Sequence, residues 1–413
     1  MHKGNYSEVR EQLYGSIREV FSWDWIDGNE YGLAEIHYIT PEFRQEIAYA
    51  TEELGKIYAK TVVMVQQSPD NLLEMLGLTQ AAFSAVRLPI IPEIPTLIGR
   101  FDFAVTPWGI KMLEFNADTP TSVVEAFYAN GKACDFFGAG DPNQGLEHEF
   151  SSAFQKIVNR YHELGYETNN IIFSALDWHE EDKGTVQYLL KMSGLLGEFV
   201  PLENLRVHND ELYALIEGGT RKVDVWYRLH ALEKLAEEKD EDGYPTGEHV
   251  LDLIARRKLA IINPPAAFIA QTKALQALIW GLYETKGFFT EHERGIIERY
   301  MLPTYLENPF LGQEAFVAKP IYGREGGAVS IFHADGSVIE KDKDEFYWEQ
   351  PMIYQKFAEM EEVESMTVTG LYKGRLLWGS FLIDGKAGAI SARIGERITG
   401  NLSCFLPSGY KVG

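Results

Sequence analysis

Acidic, amide and guanidinium side chains alternate with aromatic ones along residues 99–120, GRFDFAVTPWGIKMLEFNADTP. The segments FDFAV and IKMLEFN alternate apolar and polar positions, which predicts two strands joined by a turn. On such a hairpin, Asp102 and Glu114 share one face with Arg100 and Asn116. Mg2+ prefers oxygen ligands such as carboxylates, and phosphate oxygens usually complete its shell. The pattern therefore predicts a site for magnesium and phosphate on this hairpin.

The same residues also allow a plainer interpretation, in which Arg100 neutralises both acids at a solvated sheet edge. Like charges placed opposite each other destabilise a bare hairpin, and either a bound cation or Arg100 removes that cost. The residues that follow favour the ligand site, because Thr121 or Ser122 can cap a helix that runs through VVEAFYA. A helix start beside a metal-binding strand is a natural place for an anion.

The turn predicts how the two strands pair. Residues 106–109, Thr-Pro-Trp-Gly, fit a type I turn with proline second, and Gly109 supplies the left-handed residue of a three-residue hairpin loop. The pairs expected from this loop are Asp102 with Glu114, Arg100 with Asn116, and Ala104 with Met112. The residues expected to bury the opposite face are Phe101, Phe103, Leu113 and Phe115.

A second stretch, AFVAKPIYGREGGAVSIF at residues 315–332, combines a lysine with a glycine-rich loop. A strand that carries Lys319 is expected to enter the loop, and AVSIF is expected to leave it as another strand. Glycines at 323, 326 and 327 let backbone amides approach phosphate oxygens, while Lys319 supplies a point charge and Arg324 a bidentate fork. The chain contains no GxxxxGK[ST] and no GxGxxG. Taken alone, the loop is weak evidence for phosphate binding.

Three further polar residues are ambiguous by themselves. Lys273 lies on an apolar helix, where a lysine usually extends its charge to water. By default Gln355, in MIYQKF, is an ordinary strand residue, and Arg393, in AISARIGERITG, is a surface or salt-bridged arginine. Together with the hairpin and the glycine loop, however, they make up the parts of a site for nucleotide-dependent phosphoryl transfer.

The elements that must position these residues are of mixed type. Residues 170–200 read as strand, loop, helix and strand, which predicts a βαβ unit and a parallel sheet. Its loop carries Asp177, Glu180, Glu181 and Asp182, at the sheet end where α/β proteins tend to bind ligands. The same acids also suit an ordinary helix N-terminus. A helix begins after Thr40 with Pro41 in its first turn, ELYALIEGG is expected to pair with KVDVWYRL, and residues 315–413 are β-rich.

Composition narrows the classes of partner. The chain has 413 residues and a net charge of −23, which argues against a nucleic-acid backbone or an anionic membrane surface. Such a charge suits a cationic partner such as a polyamine, or simply an acidic cytosolic surface. The two cysteines, Cys134 and Cys404, form no disulfide or zinc pattern. With no signal-peptide or membrane-spanning pattern either, a cytoplasmic protein is expected.

The segments RFDFAV, KMLEFNADTPTS, EEDKGTVQYL, AKPIYGREGGAVSI, IYQKF and GAISARIGERIT resemble glutathionylspermidine synthase and its shorter acid–amine ligase relatives. The resemblance spans nearly the whole chain. It implies an α/β (α+β) fold of the ATP-grasp type in permuted order, in which the metal hairpin precedes the lysine-bearing lid. It also implies a pre-ATP-grasp, substrate-binding α/β region at residues 1–98 and 135–255, and a catalytic region with a lid at 99–134 and 256–413.

The resemblance assigns roles residue by residue. The implied Mg2+ ligands are Asp102, Glu114 and Asn116. The implied ATP contacts are Lys273, Lys319, Gly323, Gly326, Gly327 and Gln355, with Gln355 near the adenine. Arg100 is placed beside the transferred phosphate, and Arg393 is placed to stabilise the transition state. The implied substrate contacts are Thr121, Glu181, Asp182 and Arg324, although DTPTS and DWHEEDKG depart from the synthase's own spellings.

The expected activity is ATP-dependent ligation of a carboxylate to an amine through an acylphosphate, with ATP and Mg2+ as cofactors. The partners are then a small carboxylate and a small amine, and the oligomeric state is left open. A ligase that joins an amino acid or another peptide to an amine changes only the substrates. A different class, a nucleotide-binding module or partner protein that ligates nothing, is the alternative.

Overall fold

The computed structural model describes residues 3–323, 326–342, 347–400 and 403–412. The α-helices in these ranges are α1 Lys3–Gly15, α2 Pro41–Gln66, α3 Asp70–Met75, α4 Phe83–Val86, α5 Asn130–Phe137, α6 Glu149–Glu163, α7 Glu180–Ser193, α8 Leu232–Leu235, α9 Thr246–Ala255, α10 Ala267–Gln271, α11 Lys273–Thr285 and α12 Glu291–Tyr300. A π-helical segment, Glu125–Ala129, runs directly into α5. None of the described helices is long and apolar enough to cross a bilayer.

The strands are β1 Trp25–Ile26, β2 Asn29–Glu30, β3 His37–Tyr38, β4 Ile98–Thr106, β5 Gly109–Asn116, β6 Ile171–Ser174, β7 Gly197–Phe199, β8 Leu205–His208, β9 Glu211–Ile216, β10 Gly219–Lys222, β11 Val225–Arg228, β12 Ala260–Ile262, β13 Thr304–Tyr305, β14 Phe316–Pro320, β15 Ser330–Phe332, β16 Val338–Lys341, β17 Met352–Lys356, β18 Glu362–Thr367, β19 Gly370–Ile383, β20 Lys386–Gly395, β21 Cys404–Phe405 and β22 Ser408–Gly409.

Three sheets position the residues singled out above. A six-stranded antiparallel sheet has the order β21-β20-β19-β4-β5, with β18 also paired to β19. A five-stranded antiparallel sheet has the order β13-β17-β14-β15-β16. A four-stranded parallel sheet has the order β12-β11-β6-β7. The first sheet carries the acidic hairpin, and the second carries Lys319.

Several local predictions are confirmed. The βαβ unit is formed by β6, α7 and β7, whose two strands pair in parallel. Thr40 caps α2 by accepting a hydrogen bond from the backbone N–H of Phe43, and Pro41 is the first residue of the helix. The glycine loop lies between the antiparallel strands β14 and β15.

The predicted pairing of ELYALIEGG with KVDVWYRL holds only at the start of the second segment, where Lys222 pairs with Tyr213, and is wrong for the rest. Strand β9 turns at Gly218 and pairs with β10, Gly219–Lys222, whereas β11 joins the parallel sheet between β6 and β12. Two glycines with positive φ, Gly218 and Gly219, allow the tight turn. The buried run of β11 then suits a central parallel strand, which is covered on both faces.

The hairpin register is confirmed at one end and wrong at the other. Arg100 faces Asn116 and Asp102 faces Glu114, but Ala104 faces Lys111 and not Met112. The loop has two residues, because Thr106 pairs with Gly109, and the register shifts by one residue beyond Asp102. The extra residue is Leu113, which makes a β-bulge. Leu113 therefore leaves the face expected for it and packs with Ala104, Met360 and Leu377.

The other face of the hairpin is an aromatic part of the core. The rings of Phe101 and Phe115 stack with centroids 3.8 Å apart, and Tyr58 of α2 meets both edge-on. Phe101 and Tyr58 are fully buried. Helix α2 also packs across β19 and β20, so one long helix supports the sheet that carries Asp102.

We expect Phe101→Ala to lower the free energy of unfolding by about 3–5 kcal/mol, since it removes a buried ring and leaves a cavity. Urea denaturation followed by circular dichroism measures this. Leu371→Ala, at an exposed position of β19, is the control and should change stability by less than about 0.5 kcal/mol. Equal losses in the two variants would contradict this assignment of the core.

Candidate functional site: a cavity between two antiparallel sheets

Asp102 lies inside the protein and not at a solvated edge. Its strand, β4, is flanked by β5 and β19, and its side chain is 1% exposed. The Arg100 guanidinium donates to both carboxylate oxygens, from Nε to Oδ1 at 2.6 Å and from Nη2 to Oδ2 at 3.0 Å. Arg393 and Asn116 each approach Oδ2 at 3.4 Å. The structure thus brings together four of the predicted residues, and the interpretation of a solvated edge is wrong.

Glu114 is neutralised by a different cation. The Lys273 ammonium lies 3.3 Å from Glu114 Oε2, so Arg100 does not serve both acids in the same way. Burial by itself would raise the pKa of Glu114, but the nearby charges of Lys273, Lys319 and Arg100 lower this pKa to about 2. Glu114 is therefore an anion across the physiological pH range.

The β-bulge at Leu113 organises the lysine end of the site. The Leu113 carbonyl accepts hydrogen bonds from Lys319 Nζ at 3.2 Å and from Gln355 Nε2 at 3.4 Å. Lys319 Nζ also donates to Gln355 Oε1 at 2.8 Å. Burial, partly offset by Glu114, lowers the pKa of Lys319 to about 8. Sequence reasoning missed this role of Leu113, since a bulge has no reliable sequence signal.

The glycine loop also contacts the lysine end of the site. Lys273 Nζ donates to the carbonyl of Gly323 at 2.6 Å, and the backbone N–H of Lys273 donates to the carbonyl of Ile321. Gly326 has a φ of +74° and lies against Thr399, where a Cβ would be 2.8 Å from the Thr399 carbonyl oxygen. The base of the loop is therefore tied to α11 and to the chain after β20. Arg324 lies outside the described residues.

These groups line one cavity. The predicted residues in its wall are Asp102, Glu114, Lys273, Lys319, Gly323, Gly326 and Gln355. The residues from the C-terminal segment in this wall that sequence reasoning missed are Arg397, Ile398 and Thr399. They are the last three residues of the GAISARIGERIT motif itself, which is the signal that could have singled them out.

Of the predicted substrate residues that the structure describes, Thr121, Glu181 and Asp182 are not part of the wall of this cavity. The Thr121 carbonyl accepts a hydrogen bond from Arg100 Nη1 at 2.6 Å, so Thr121 contacts the arginine and not a helix N-terminus. Glu181 and Asp182 lie in the first turn of α7. That helix borders a larger cleft, whose wall includes Trp23, Tyr128, Asp177, Glu180 and Tyr188. Gly327 lies in the turn at residues 326–328.

Three polar residues that sequence reasoning missed hold the chain beyond Asn116. Gln271 Oε1 accepts from the backbone N–H groups of Ala117 and Asp118. Asn263 Nδ2 donates to the carbonyls of both residues. The Asp118 carboxylate pairs with Arg228 at 2.7 Å, and both side chains are fully buried. The partners are more than 100 positions apart, so no local spacing could have indicated them.

The oxygen atoms of Asp102, Glu114 and Asn116 suit a hard cation such as Mg2+ only if a bound substrate supplies the remaining ligands of the coordination shell. In the part of the chain that the structure describes, no group of three or more His, Cys, Asp or Glu side chains could hold a metal ion. Two carboxylates and the Asn116 amide nonetheless offer oxygen ligands beside two lysines. That arrangement fits Mg2+ bound jointly with phosphate, because Mg2+ commonly takes one or two carboxylates and completes its shell with substrate oxygens.

Comparison of the sequence with models of protein families shows which family the chain belongs to. The model of the family described as glutathionylspermidine synthase preATP-grasp matches residues 6–411. The chain belongs to this family. A Haemophilus influenzae protein provisionally named an acid–amine ligase is 25% identical over 76% of this chain and 74% of its own length. The bifunctional glutathionylspermidine synthetase/amidase of Escherichia coli is 26% identical over 83% of this chain, which spans 56% of the length of that enzyme.

A solved structure supports the fold of this family member. The glutathione synthetase-like effector GSS30 of Globodera pallida, in its apo form, superposes with a TM-score of 0.61 at 12% identity and covers 98% of both chains. The predicted mixed α/β fold of the ATP-grasp type is therefore confirmed. In this chain the acidic hairpin β4–β5 precedes the lysine strand β14, as the permuted order requires.

The lowered pKa of Lys319 predicts proton uptake when a nucleotide binds to this family member. At pH 8 about half of the Lys319 side chains lack a proton, and a phosphate group would favour the charged form. We expect Mg-ATP binding to take up close to half a proton at pH 8 and much less at pH 6.5. Calorimetry in buffers of different ionisation enthalpy measures this. Lys319→Arg, which stays protonated, should abolish the uptake, and uptake that persists in this variant would contradict the assignment.

Proposed function

We propose that this protein is an ATP-dependent carboxylate–amine ligase. The observation that carries the proposal is the convergence of Asp102, Glu114, Lys273 and Lys319 on one cavity beneath a glycine loop. Membership of the glutathionylspermidine synthase family and the names of two relatives support the same activity. Nothing in the fold or in these names favours the alternative of a module that binds a nucleotide without ligating anything.

In this proposal the cavity holds the phosphates of ATP. Lys273 and Lys319 contact the phosphate oxygens as point charges, and the loop Gly323 to Gly327, with Gly326 in a conformation that favours glycine, covers them. Gln355 lies towards the adenine. Asp102, Glu114 and Asn116 would hold Mg2+, which, when bound, neutralises charge on the phosphates.

The reaction begins with attack of a substrate carboxylate on the γ-phosphorus, which gives an acylphosphate and ADP. An amine nitrogen then attacks the acyl carbon and the bond from that carbon to the phosphate oxygen breaks. The nitrogen gives up one proton to the departing phosphate, and an amide remains. Arg100 and Arg393 both contact Asp102, and in this proposal their charges stabilise the negative charge that develops on the transferred phosphate. Most of the work of this protein is thus alignment and electrostatic stabilisation, without a covalent enzyme intermediate.

The substrates are assigned by position and charge. We assign Thr121, which touches Arg100, and Glu181 and Asp182, in the first turn of α7, to binding of the acid substrate. Arg324 is assigned to the same substrate from its position in the sequence. The net charge of −23 suits a cationic amine. We infer a peptide or amino-acid carboxylate and a polyamine or other amine, in the cytoplasm that the cysteine usage indicates.

The direct test is ADP release across a panel of carboxylates and amines, with mass spectrometry of the product. We expect ADP release that requires both an acid and an amine, together with an amide product of their combined mass less water. ATP binding without ADP release for every pair would refute the ligase and favour the non-ligating module.

Glu114→Gln and Asp102→Asn should each lower turnover by about a hundredfold or more, since a metal supplies several kcal/mol of transition-state stabilisation. Both changes keep the size of the side chain and remove its charge. Glu362→Gln, which alters an acid on β18 that pairs with Lys373 and Arg375, is the matched control and should leave turnover within about twofold. Turnover like that of the wild type in either site variant would remove the metal assignment.

A further inference from the structure

Glu125 is a buried acid that the proposed chemistry does not use. It is the first residue of the π-helical segment that precedes α5, and its side chain has no exposed surface. Acidic side chains are rarely buried completely unless they are paired. π-Helical turns occur frequently at functional sites. The contacts of Glu125 therefore need an explanation.

One carboxylate oxygen of Glu125 joins two distant parts of the chain. Oε1 accepts a hydrogen bond from Trp23 Nε1 at 2.8 Å and another from the Tyr31 hydroxyl at 3.0 Å. The other oxygen, Oε2, has no hydrogen-bond partner among the residues that the structure describes. Burial raises the pKa of Glu125, although Trp23, Tyr31 and Arg100 all act to lower it. A neutral or charged carboxyl can accept both bonds at Oε1, so the link does not depend on ionisation.

The Trp23 link leads to α7. A Cβ at Gly184 would lie 2.3 Å from the indole, so Trp23 packs against the bare backbone of that helix. Gly184 is one turn beyond Glu181 and Asp182. The position of the indole therefore sets how closely the first turn of α7 approaches the rest of the site.

The Tyr31 link leads to Arg393. The Tyr31 carbonyl accepts a hydrogen bond from the backbone N–H of Phe405 at 2.8 Å. Phe405, in β21, faces Arg393 on β20. Tyr31 thus connects Glu125 to the edge strand that lies directly beside Arg393.

The third link is the chain itself. Thr121, four residues before Glu125, accepts the hydrogen bond from Arg100, and Ser122 has a φ of +63°. That left-handed residue turns the chain from the Arg100 contact into the helix that begins just before Glu125. Arg100, Arg393 and the start of α7 are therefore all connected to the same buried carboxyl.

We propose that Glu125 is a positioning residue that holds Arg100, Arg393 and the first turn of α7 in one arrangement for the acid substrate. This inference rests on the proposed function for the roles of those three groups. Glu125 touches none of the reacting atoms. It acts through Trp23 and Tyr31, because its oxygen Oε1 accepts the hydrogen bonds from both side chains.

The test compares Glu125→Ala, which removes the acceptor, with Glu125→Gln, which keeps it. In Glu125→Ala we expect faster backbone hydrogen–deuterium exchange at residues 180–184 and 403–406, because both links are lost. With the acid–amine pair that gives most ADP, KM for the acid should rise about tenfold or more, as expected for loss of buried hydrogen bonds. KM for ATP should stay within about twofold, and Glu125→Gln should restore both the exchange pattern and KM for the acid.

Glu35 provides a matched control. One of its oxygens, Oε2, also accepts two hydrogen bonds from a distant strand, from Ser365 Oγ and the Met366 N–H. Glu35→Ala should speed exchange at residues 365–366 and lower the melting temperature, but it should leave KM for the acid within about twofold. This separates a general loss of stability from the specific effect expected at Glu125.

Three results would overturn the inference. They are unchanged exchange at residues 180–184 and 403–406 in Glu125→Ala, a KM for ATP that rises as much as that for the acid, and Glu125→Gln behaving like Glu125→Ala. If the wild-type protein releases no ADP with any pair, the proposed function fails by itself. The exchange measurement, which needs no substrate, then decides whether Glu125 holds the first turn of α7 and the segment around β21 in place.

Discussion

Charges of both signs are withdrawn from water around Asp102 and Glu114, and they must neutralise one another inside the protein. A single unpaired ion at this depth would cost several kcal/mol, so each acid has its own cation and each lysine its own acceptors. Arg100 holds Asp102, Lys273 holds Glu114, and Lys319 rests on two oxygens. The arrangement keeps the site folded, and it also collects the charges that a bound nucleotide and its metal would need.

The β-bulge at Leu113 allows these paired charges to lie on a hairpin whose other face is tightly packed. On the inner side of the bulge, the aromatic face of β4 and β5 packs on α2, with Phe101 and Phe115 stacked. At the bulge the ladder is interrupted, and the Leu113 carbonyl is free to accept hydrogen bonds from Lys319 and Gln355 of the other sheet. One inserted residue thus joins the acidic sheet to the lysine sheet without disturbing the core beneath. This is the usual effect of a bulge beside a functional site.

The support of the site extends well beyond the cavity. The Asp118–Arg228 pair ties the end of the hairpin to the parallel sheet, and Gln271 and Asn263 hold the backbone between them. Glu125 makes a similar connection on the side of the proposed acid substrate, through Trp23 and Tyr31. These residues are polar, buried and far apart in the chain. They orient the groups that would touch substrate, and an active site needs such supports if its groups are to be held to a fraction of an ångström.

The sequence by itself determined the chemistry of the site and the local elements that carry it. Alternation along residues 99–116 indicated two strands, and this put Asp102 opposite Glu114 and Arg100 opposite Asn116. The lysine strand and the glycine loop followed from the same kind of local pattern, because strand periodicity and turn chemistry act over a few residues. Even the partial error in the hairpin is instructive. A loop one residue shorter than expected and a bulge one residue long compensate each other, so the pairing of the two acids was correct while that of Ala104 was not.

Only the tertiary structure decided which cation neutralises which acid, where the bulge falls, and which distant polar residues hold the site. Lys273 meets Glu114 across more than 150 positions of chain, and Arg228 meets Asp118 across more than 100. Such pairings depend on how whole sheets pack, and the balance between burial and charge that sets the pKa values of Glu114 and Lys319 exists only after that packing. Local sequence patterns specify elements and their faces. Their meeting point depends on the free energy of the entire fold.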